Sequence, residues 1–212
     1  MLRLNLPAVD PLRVLCLGAH SDDLEIGCGG TLLRLQREHK LRVRWVVFAC
    51  SGDRTSEATR SARAFLDRTP DAQIETLTFR DGFFPYVGQD IKEVFEELKK
   101  DVSPDLIFTH ARHDFHQDHR LLNQLTWNTF RDHCILEYEI PKYDGDLVSP
   151  NIFVSLEPDI VKQKIQHLMD FFSTQREKRW FDEETFRGLL RLRGVEAGVR
   201  YAEGFHCRKA LL

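Results

Sequence analysis

Between Arg13 and Ala49 the chain reads as an apolar run, an amphipathic stretch and a second apolar run, and this order constrains the fold more than any other feature. Arg13–Ala19 is short, apolar and ends in Gly18 and Ala19, as a buried strand does. From Asp23 to Lys40 the period lengthens, with Leu24, Cys28, Leu32 and Leu35 recurring at the steps of three and four that make one helical face. Arg42–Ala49 (RVRWVVFA) is strand-like again. The alternation continues with a helix over Ser56–Leu66, a strand over Ile74–Phe79, a helix marked by Ile91, Val94, Phe95 and Leu98, and a strand over Asp105–Thr109. A helix from His119 to about Asp132, strands over Ile135–Ile140 and Asn151–Leu156, and a long helix carrying Val161, Ile165, Leu168 and Phe172 complete the pattern. Strands alternating with helices predict an α/β fold, Rossmann-like, with a mainly parallel sheet and helices on both faces.

A chain of 212 residues that is 42% hydrophobic can bury one sizeable core. With no internal repeat, low-complexity stretch or linker, it predicts a single domain over 1–212; the segment Pro141–Pro150 reads as a polar loop. A net charge of −3 argues for neither nucleic acid nor an anionic membrane surface as partner. No apolar run approaches the roughly 20 residues that span a bilayer. The N-terminus, MLRLNLPAVDPL, lacks the apolar core of a secretory signal. Five widely spaced cysteines without a CxxC read as reduced thiols, so a cytoplasmic location is expected.

Two clusters carry the chemistry. His110–His119 (HARHDFHQDH) holds four histidines and two aspartates and follows the strand at Asp105–Thr109. AHSDDLEIGCGG (Ala19–Gly30) follows the strand at Arg13–Ala19. Burying so many imidazoles and carboxylates is costly unless each finds a partner, and a metal ion is the usual one. In parallel sheets ligands bind outside the carboxyl ends of strands, where both clusters fall. Imidazole and carboxylate donors suit Zn²⁺ or another divalent first-row metal, with about three protein ligands and a position left for water. His20, Asp22, Asp23, His116, Asp118 and His119 offer enough groups for ligands and a general base. Spacing alone does not divide them between these roles.

Bland readings compete. His20 could be a hydrogen-bonded core histidine, and Asp22 and Asp23 could simply favour a helix N-terminus. Gly27, Gly29 and Gly30 suggest a dinucleotide loop, but His20–Asp23 stand where such glycines should follow the strand. His110 and His113 read as outer or solvated groups. His39, His133, His167 and His206 have no motif context, and Phe83, Phe84 and Tyr86 beside a proline read first as packing.

At these residues the chain resembles the LmbE/PIG-L family of metal-dependent N-deacetylases. Ala19, His20, Asp22, Asp23, Glu25, Gly27, Gly29, Gly30 and Thr31 match its first signature, A-H-P-D-D-x-E-x-G-x-G-G-T. His116, Asp118 and His119 match H-P-D-H, and Arg193–Phe205 carries the C-terminal R-G-x-x-x-G-x-x-Y-A-E-x-F pattern. Ser21 and Gln117 depart from it, standing where proline is common. The resemblance implies His20, Asp23 and His119 as metal ligands and Asp22 as general base. It implies His116 as oxyanion stabiliser or acid, oriented and favoured in its protonated form by Asp118. Arg54, with Glu57 three residues on, matches a weaker R-x-x-E feature and implies a substrate contact; Tyr201 and Glu203 would support the site.

The expectation is therefore a Zn²⁺-dependent hydrolase, with Fe²⁺ or another divalent metal as alternatives. It would remove an N-acetyl group from an amino sugar or sugar conjugate and need no nucleic acid. A homo-oligomer stays open. The alternatives are a metal-dependent hydrolase of another amide or ester, including a two-metal phosphoesterase drawing on His113 and Asp114, and a sugar-binding protein of the same fold without turnover.

Overall fold

The computed structural model describes Leu6 and residues 9–211; the other residues of the stretch read for a secretory leader, and Leu212, lie outside the described residues. Strand β1 (Leu12–His20) alternates its side chains between two cores. Leu12, Val14 and Cys16 enter one, and Leu15, Leu17 and Ala19 enter the other. A strand covered on both faces reads as a continuous apolar run, which is why it was legible. Helix α1 (Asp23–Glu38) returns the chain to β2 (Leu41–Ala49), which pairs parallel with β1. Helix α2 (Asp53–Phe65) leads to β3 (Gln73–Thr76), and α3 (Gly88–Asp101) crosses to β4 (Leu106–His110). Helix α4 (Gln117–Thr129) and β5 (Ile135–Tyr138) follow. Beyond them lie β6 (Ile152–Ser155), α5 (Pro158–Phe171), α6 (Glu183–Ala197) and β7 (Ala202–His206).

The seven-stranded sheet runs β3-β2-β1-β4-β5-β7-β6, parallel from β3 to β5, with β7 antiparallel to both neighbours. Helices α1, α2, α5 and α6 pack on one face and α3 and α4 on the other. This is the expected doubly covered architecture. Most elements fall within a few residues of their predicted bounds. The predicted strand Ile74–Phe79 is shorter, because after Thr76 only Thr78 continues, as an isolated antiparallel bridge to Ala49. The C-terminal α6 and β7 were not foreseen. Gly188 and Gly194 interrupt the helical pattern, and AEGFH places a carboxylate and a glycine in a buried strand.

The glycines of α1 have a packing reason. A Cβ at Gly27 would stand 2.1 Å from the Tyr138 ring, and one at Gly29 would stand 2.5 Å from Phe65. Gly27 allows α1 to lie close on the sheet and Gly29 lets it approach α2, rather than either forming a phosphate loop. Glu203, buried on β7, accepts from the amides of Gly30 and Thr31 and pairs with Lys164 at 2.6 Å. It therefore anchors α1 and does not reach the histidine cluster.

The chain order reverses between β1 and β4, which are neighbours. From β1 the next strands are laid to one side, and from β4 to the other. The loops after β1 and β4 therefore flank the point of reversal, the place where ligands bind in such sheets.

Candidate active site and metal centre

His20 is the last residue of β1, His110 is the last of β4, and His119 lies in the first turn of α4. Adjacent strands thus bring residues some 90–100 positions apart into contact. His20 Nδ1 lies 3.1 Å from His119 Nε2 and 3.2 Å from Asp23 Oδ2; Asp23 Oδ2 lies 3.5 Å from His119 Nε2. Three donor atoms at the roughly 2.0–2.1 Å usual for nitrogen and oxygen on tetrahedral Zn²⁺ stand about 3.3–3.4 Å apart. The triangle of one carboxylate and two imidazole atoms matches that spacing, so these residues fit a divalent ion. Asp23 and His119 are buried, and the His20 side chain is 12% exposed.

Each histidine of the triangle turns its second nitrogen to a carboxylate. His119 Nδ1 donates to Asp114 Oδ2 at 2.8 Å. His20 Nε2 lies 3.2 Å from both Asp118 Oδ2 and Asp81 Oδ1. Such partners fix the tautomer and ring orientation of a metal-ligating histidine. The Asp118 carboxylate is itself held by the amides of Gly82 (2.7 Å) and Phe84 (3.1 Å). Gln117 donates to the Gly82 carbonyl, so the residue standing where proline is common fastens the same loop. Ser21, the other departure, is buried with no partner for its hydroxyl among the described residues, and the structure gives no reason for it.

The electrostatics favour a cation. Burial works against charge on His20, but Asp23 and then Asp118 raise its pKa well above the ordinary imidazole value. Burial likewise opposes charge on Asp23, yet His119, His110 and His20 hold its carboxyl far below the usual range. A divalent ion supplies the same positive charge that these protons do.

Asp22 occupies the N-cap position of α1, yet its side chain makes no capping bond. The simple capping reading therefore fails, and the carboxylate is left beside the triangle. Burial, then the neighbouring Asp23, pushes its pKa up to about 6.

His116 differs from expectation. It is the N-cap of α4, and its Nδ1 accepts from the Asp118 amide at 3.3 Å. Among the described residues no bond joins the Asp118 carboxylate to the His116 ring. The helix start turns that ring back on the amide while the carboxylate points across to His20. The Asp118 charge does favour a protonated ring, but burial, then the adjacent His119 and His20, outweighs it and lowers the His116 pKa. An acceptor Nδ1 leaves the neutral ring its proton on Nε2.

Other expectations divide. His110, read as an outer or solvated group, is fully buried, stacks on His119 at 3.8 Å and sits 3.3 Å from Asp23. Its Nε2 takes the Ala19 amide, and burial lowers its pKa to about 4. His113 is exposed and faces His206 instead. Tyr201 lines a separate surface cavity with Arg187 and Arg200. Arg54 reaches the rim only through Asp81, which it meets at 3.1 Å. Glu57 binds Ser173 and Thr174 and so fastens α2 to the turn that follows α5. Asp81 and Lys142, which meets Asp114 at 3.0 Å, were missed because they stand in irregular loops without a motif.

The model of the family "PIG-L: GlcNAc-PI de-N-acetylase" matches residues 15–130, and the chain belongs to that family. These residues span β1 to the end of α4 and contain every site residue described except Lys142. Among solved structures, a conserved protein from Thermus thermophilus superposes with a TM-score of 0.75 at 22% identity, covering 95% of this chain and 96% of its own. N,N'-diacetylchitobiose deacetylase from Pyrococcus horikoshii gives 0.65 at 24% identity, covering 93% and 84%. GalB, a 4-carboxy-2-hydroxymuconate hydratase from Pseudomonas putida, gives 0.71 at 17% identity, covering 95% and 98%. A deacetylase and a hydratase thus share this fold, so the reaction must be argued from the site.

Proposed function

We propose that this protein is a metal-dependent hydrolase that removes an N-acetyl group from an amino sugar or sugar conjugate. The observation that carries the reading is the triangle of His20 Nδ1, Asp23 Oδ2 and His119 Nε2, with each histidine backed by a carboxylate and Asp22 left uncommitted beside it. His20, Asp23 and His119 would hold the ion, with Zn²⁺ the reading preferred and Fe²⁺ compatible with the same donors. When bound, such an ion acidifies a water molecule and polarises an amide carbonyl.

The chain's own groups then divide the work. Asp22 takes the proton of the attacking water on a carboxylate that burial keeps from being too weak a base. His116 presents Nε2–H, its Nδ1 being occupied, and so can stabilise by hydrogen bonding the oxygen that gains charge, while the proton that Asp22 has taken from the water passes to the departing amine. Asp118 holds the His20 ring and the Gly82–Phe84 loop rather than His116. Arg54 and Asp81 at the rim are placed for polar substrate groups.

The sugar substrate draws support from the family description and from the diacetylchitobiose deacetylase of like fold. The test is acetate release by metal-reconstituted protein from N-acetylated sugars, nucleotide sugars and thiol–sugar conjugates. Metal-dependent release from one of these, abolished by a chelator, is the expected result. Hydrolysis of an ester or phosphoester with no acetate from any N-acetylated sugar would overturn it.

A further inference from the structure

The loop Pro141–Pro150, polar by sequence, hides a buried cation. The Lys142 side chain is only 9% exposed, and its ammonium lies 3.0 Å from Asp114 Oδ2 and 2.5 Å from Asp146 Oδ2. Both carboxylates are themselves 3% exposed. Among the described residues no other lysine or arginine pairs with either carboxylate. An exposed ion pair would be worth little, but a buried cation between two buried carboxylates cannot be removed without leaving charge uncompensated.

The same two carboxylates build the loop that delivers His116 and His119. Asp114 Oδ1 accepts the His116 amide at 2.8 Å while Oδ2 takes His119 Nδ1. Asp146 Oδ2 accepts the Phe115 amide at 2.6 Å. One ammonium therefore joins two loops distant in sequence, and the carboxylate it neutralises is the one that orients His119.

We propose that Lys142 is a positioning residue for the metal centre. Its ammonium draws Asp114 and Asp146 together, keeps Asp114 on the outer nitrogen of His119, and so aims His119 Nε2 at the ion. The proposal rests on the reading of His119 as a metal ligand. Without the cation, the two carboxylates repel; Asp114 moves off its position, and the His119 ring loses its fixed direction.

The experiment measures Zn²⁺ affinity by competition with a chromophoric chelator, and the visible spectrum of the Co²⁺-substituted protein, which reports donor geometry independently of turnover. Wild type is compared with Lys142→Met, Lys142→Arg and Lys142→Met/Asp146→Asn. Lys142→Met should bind Zn²⁺ about 10–100-fold more weakly, the usual cost of losing an outer partner of a ligand, and should shift the Co²⁺ bands. Lys142→Arg keeps the charge and should lie nearer wild type. The double variant, relieved of one repelling carboxylate, should fall between Lys142→Met and wild type. Should Lys142→Met not fold, the double variant carries the test, and wild-type affinity with a wild-type Co²⁺ spectrum in it overturns the proposal. So does that outcome in a folded Lys142→Met. A His119→Ala protein that binds Zn²⁺ as tightly as wild type overturns the metal reading instead, and the proposal with it.

Discussion

His119 donates from Nδ1 to Asp114 Oδ2 at 2.8 Å while its Nε2 stands 3.5 Å from Asp23 Oδ2, so one ring lies between two carboxylates, one on each nitrogen. His20 repeats the arrangement with Asp118 and Asp23. On the proposed reading, the repetition separates the residues that would hold an ion from those that orient them.

Removing a ligand should cost more than removing its partner. His20→Ala and His119→Ala should each lower Zn²⁺ affinity by more than the roughly 10–100-fold typical of an outer residue, with the circular dichroism of the sheet retained. Elemental analysis after dialysis checks this. Full metal occupancy in both variants would remove the basis for the site.

Asp22→Asn should keep its metal and lose turnover. The side chain is uncommitted to the helix cap, so amide for carboxylate changes basicity more than structure. A loss of about 10²–10⁴ in kcat is expected for an absent general base. Metal content and acetate release on the same preparation decide between this and a ligand role.

Asp118→Asn and His116→Ala should part company. The Asp118 carboxylate takes His20 Nε2 and two loop amides, so its loss should weaken metal binding about 10–100-fold. His116 contributes no edge to the triangle, so His116→Ala should retain metal while turnover falls by orders of magnitude. If Asp118→Asn binds metal normally and instead reproduces the His116→Ala pH profile, Asp118 acts on His116 after all.

Glu57 offers a test away from the chemistry. Burial pushes its carboxyl up, but hydrogen bonds from Thr174 and Ser173 outweigh this and hold its pKa below the ordinary value. A depressed folded pKa stabilises the native state above the unfolded pKa, and that contribution is lost as pH falls through the folded value. Glu57→Gln should cost about 1–3 kcal/mol at pH 7, as charged hydrogen bonds do. It should also flatten the loss of stability below about pH 4.3, the ordinary glutamate pKa. Urea melts of both proteins at pH 7 and pH 3.5 measure the difference.

Gly27→Ala should destabilise through packing alone. Its Cβ would meet the Tyr138 ring at 2.1 Å, and that ring is tethered by its hydroxyl to the Leu17 carbonyl. Overpacking of this kind costs about 1–3 kcal/mol. A thermal melt unchanged from wild type would show that α1 can move off the sheet.

Sequence by itself determined the layered fold and the strand ends at which the candidate site lies. Buried parallel strands must be apolar on both faces, so β1, β2 and β4 announce themselves as runs, and helices between them show a 3.6-residue period. Side chains able to hold a metal then stood out because they followed two of those runs. His20, Asp22, Asp23, His116, Asp118 and His119 are all legible in this way.

Only the tertiary structure distinguished the carboxylates from one another. Asp22, Asp23, Asp114 and Asp118 are chemically the same group, and what distinguishes them is an orientation set by adjacent strands and the first turns of α1 and α4. The partner of Asp118 was misread because neighbours in sequence need not face each other at a helix start, where the His116 ring folds back on an amide. Asp81 and Lys142 had no periodic or motif signal, since a loop residue reaches the site only through the path of its backbone. Helix α6 and strand β7 were hidden for a related reason. The Glu203 they deliver is tolerable in the core only because α1 offers two amides and α5 a lysine, partners that exist once the chain has folded.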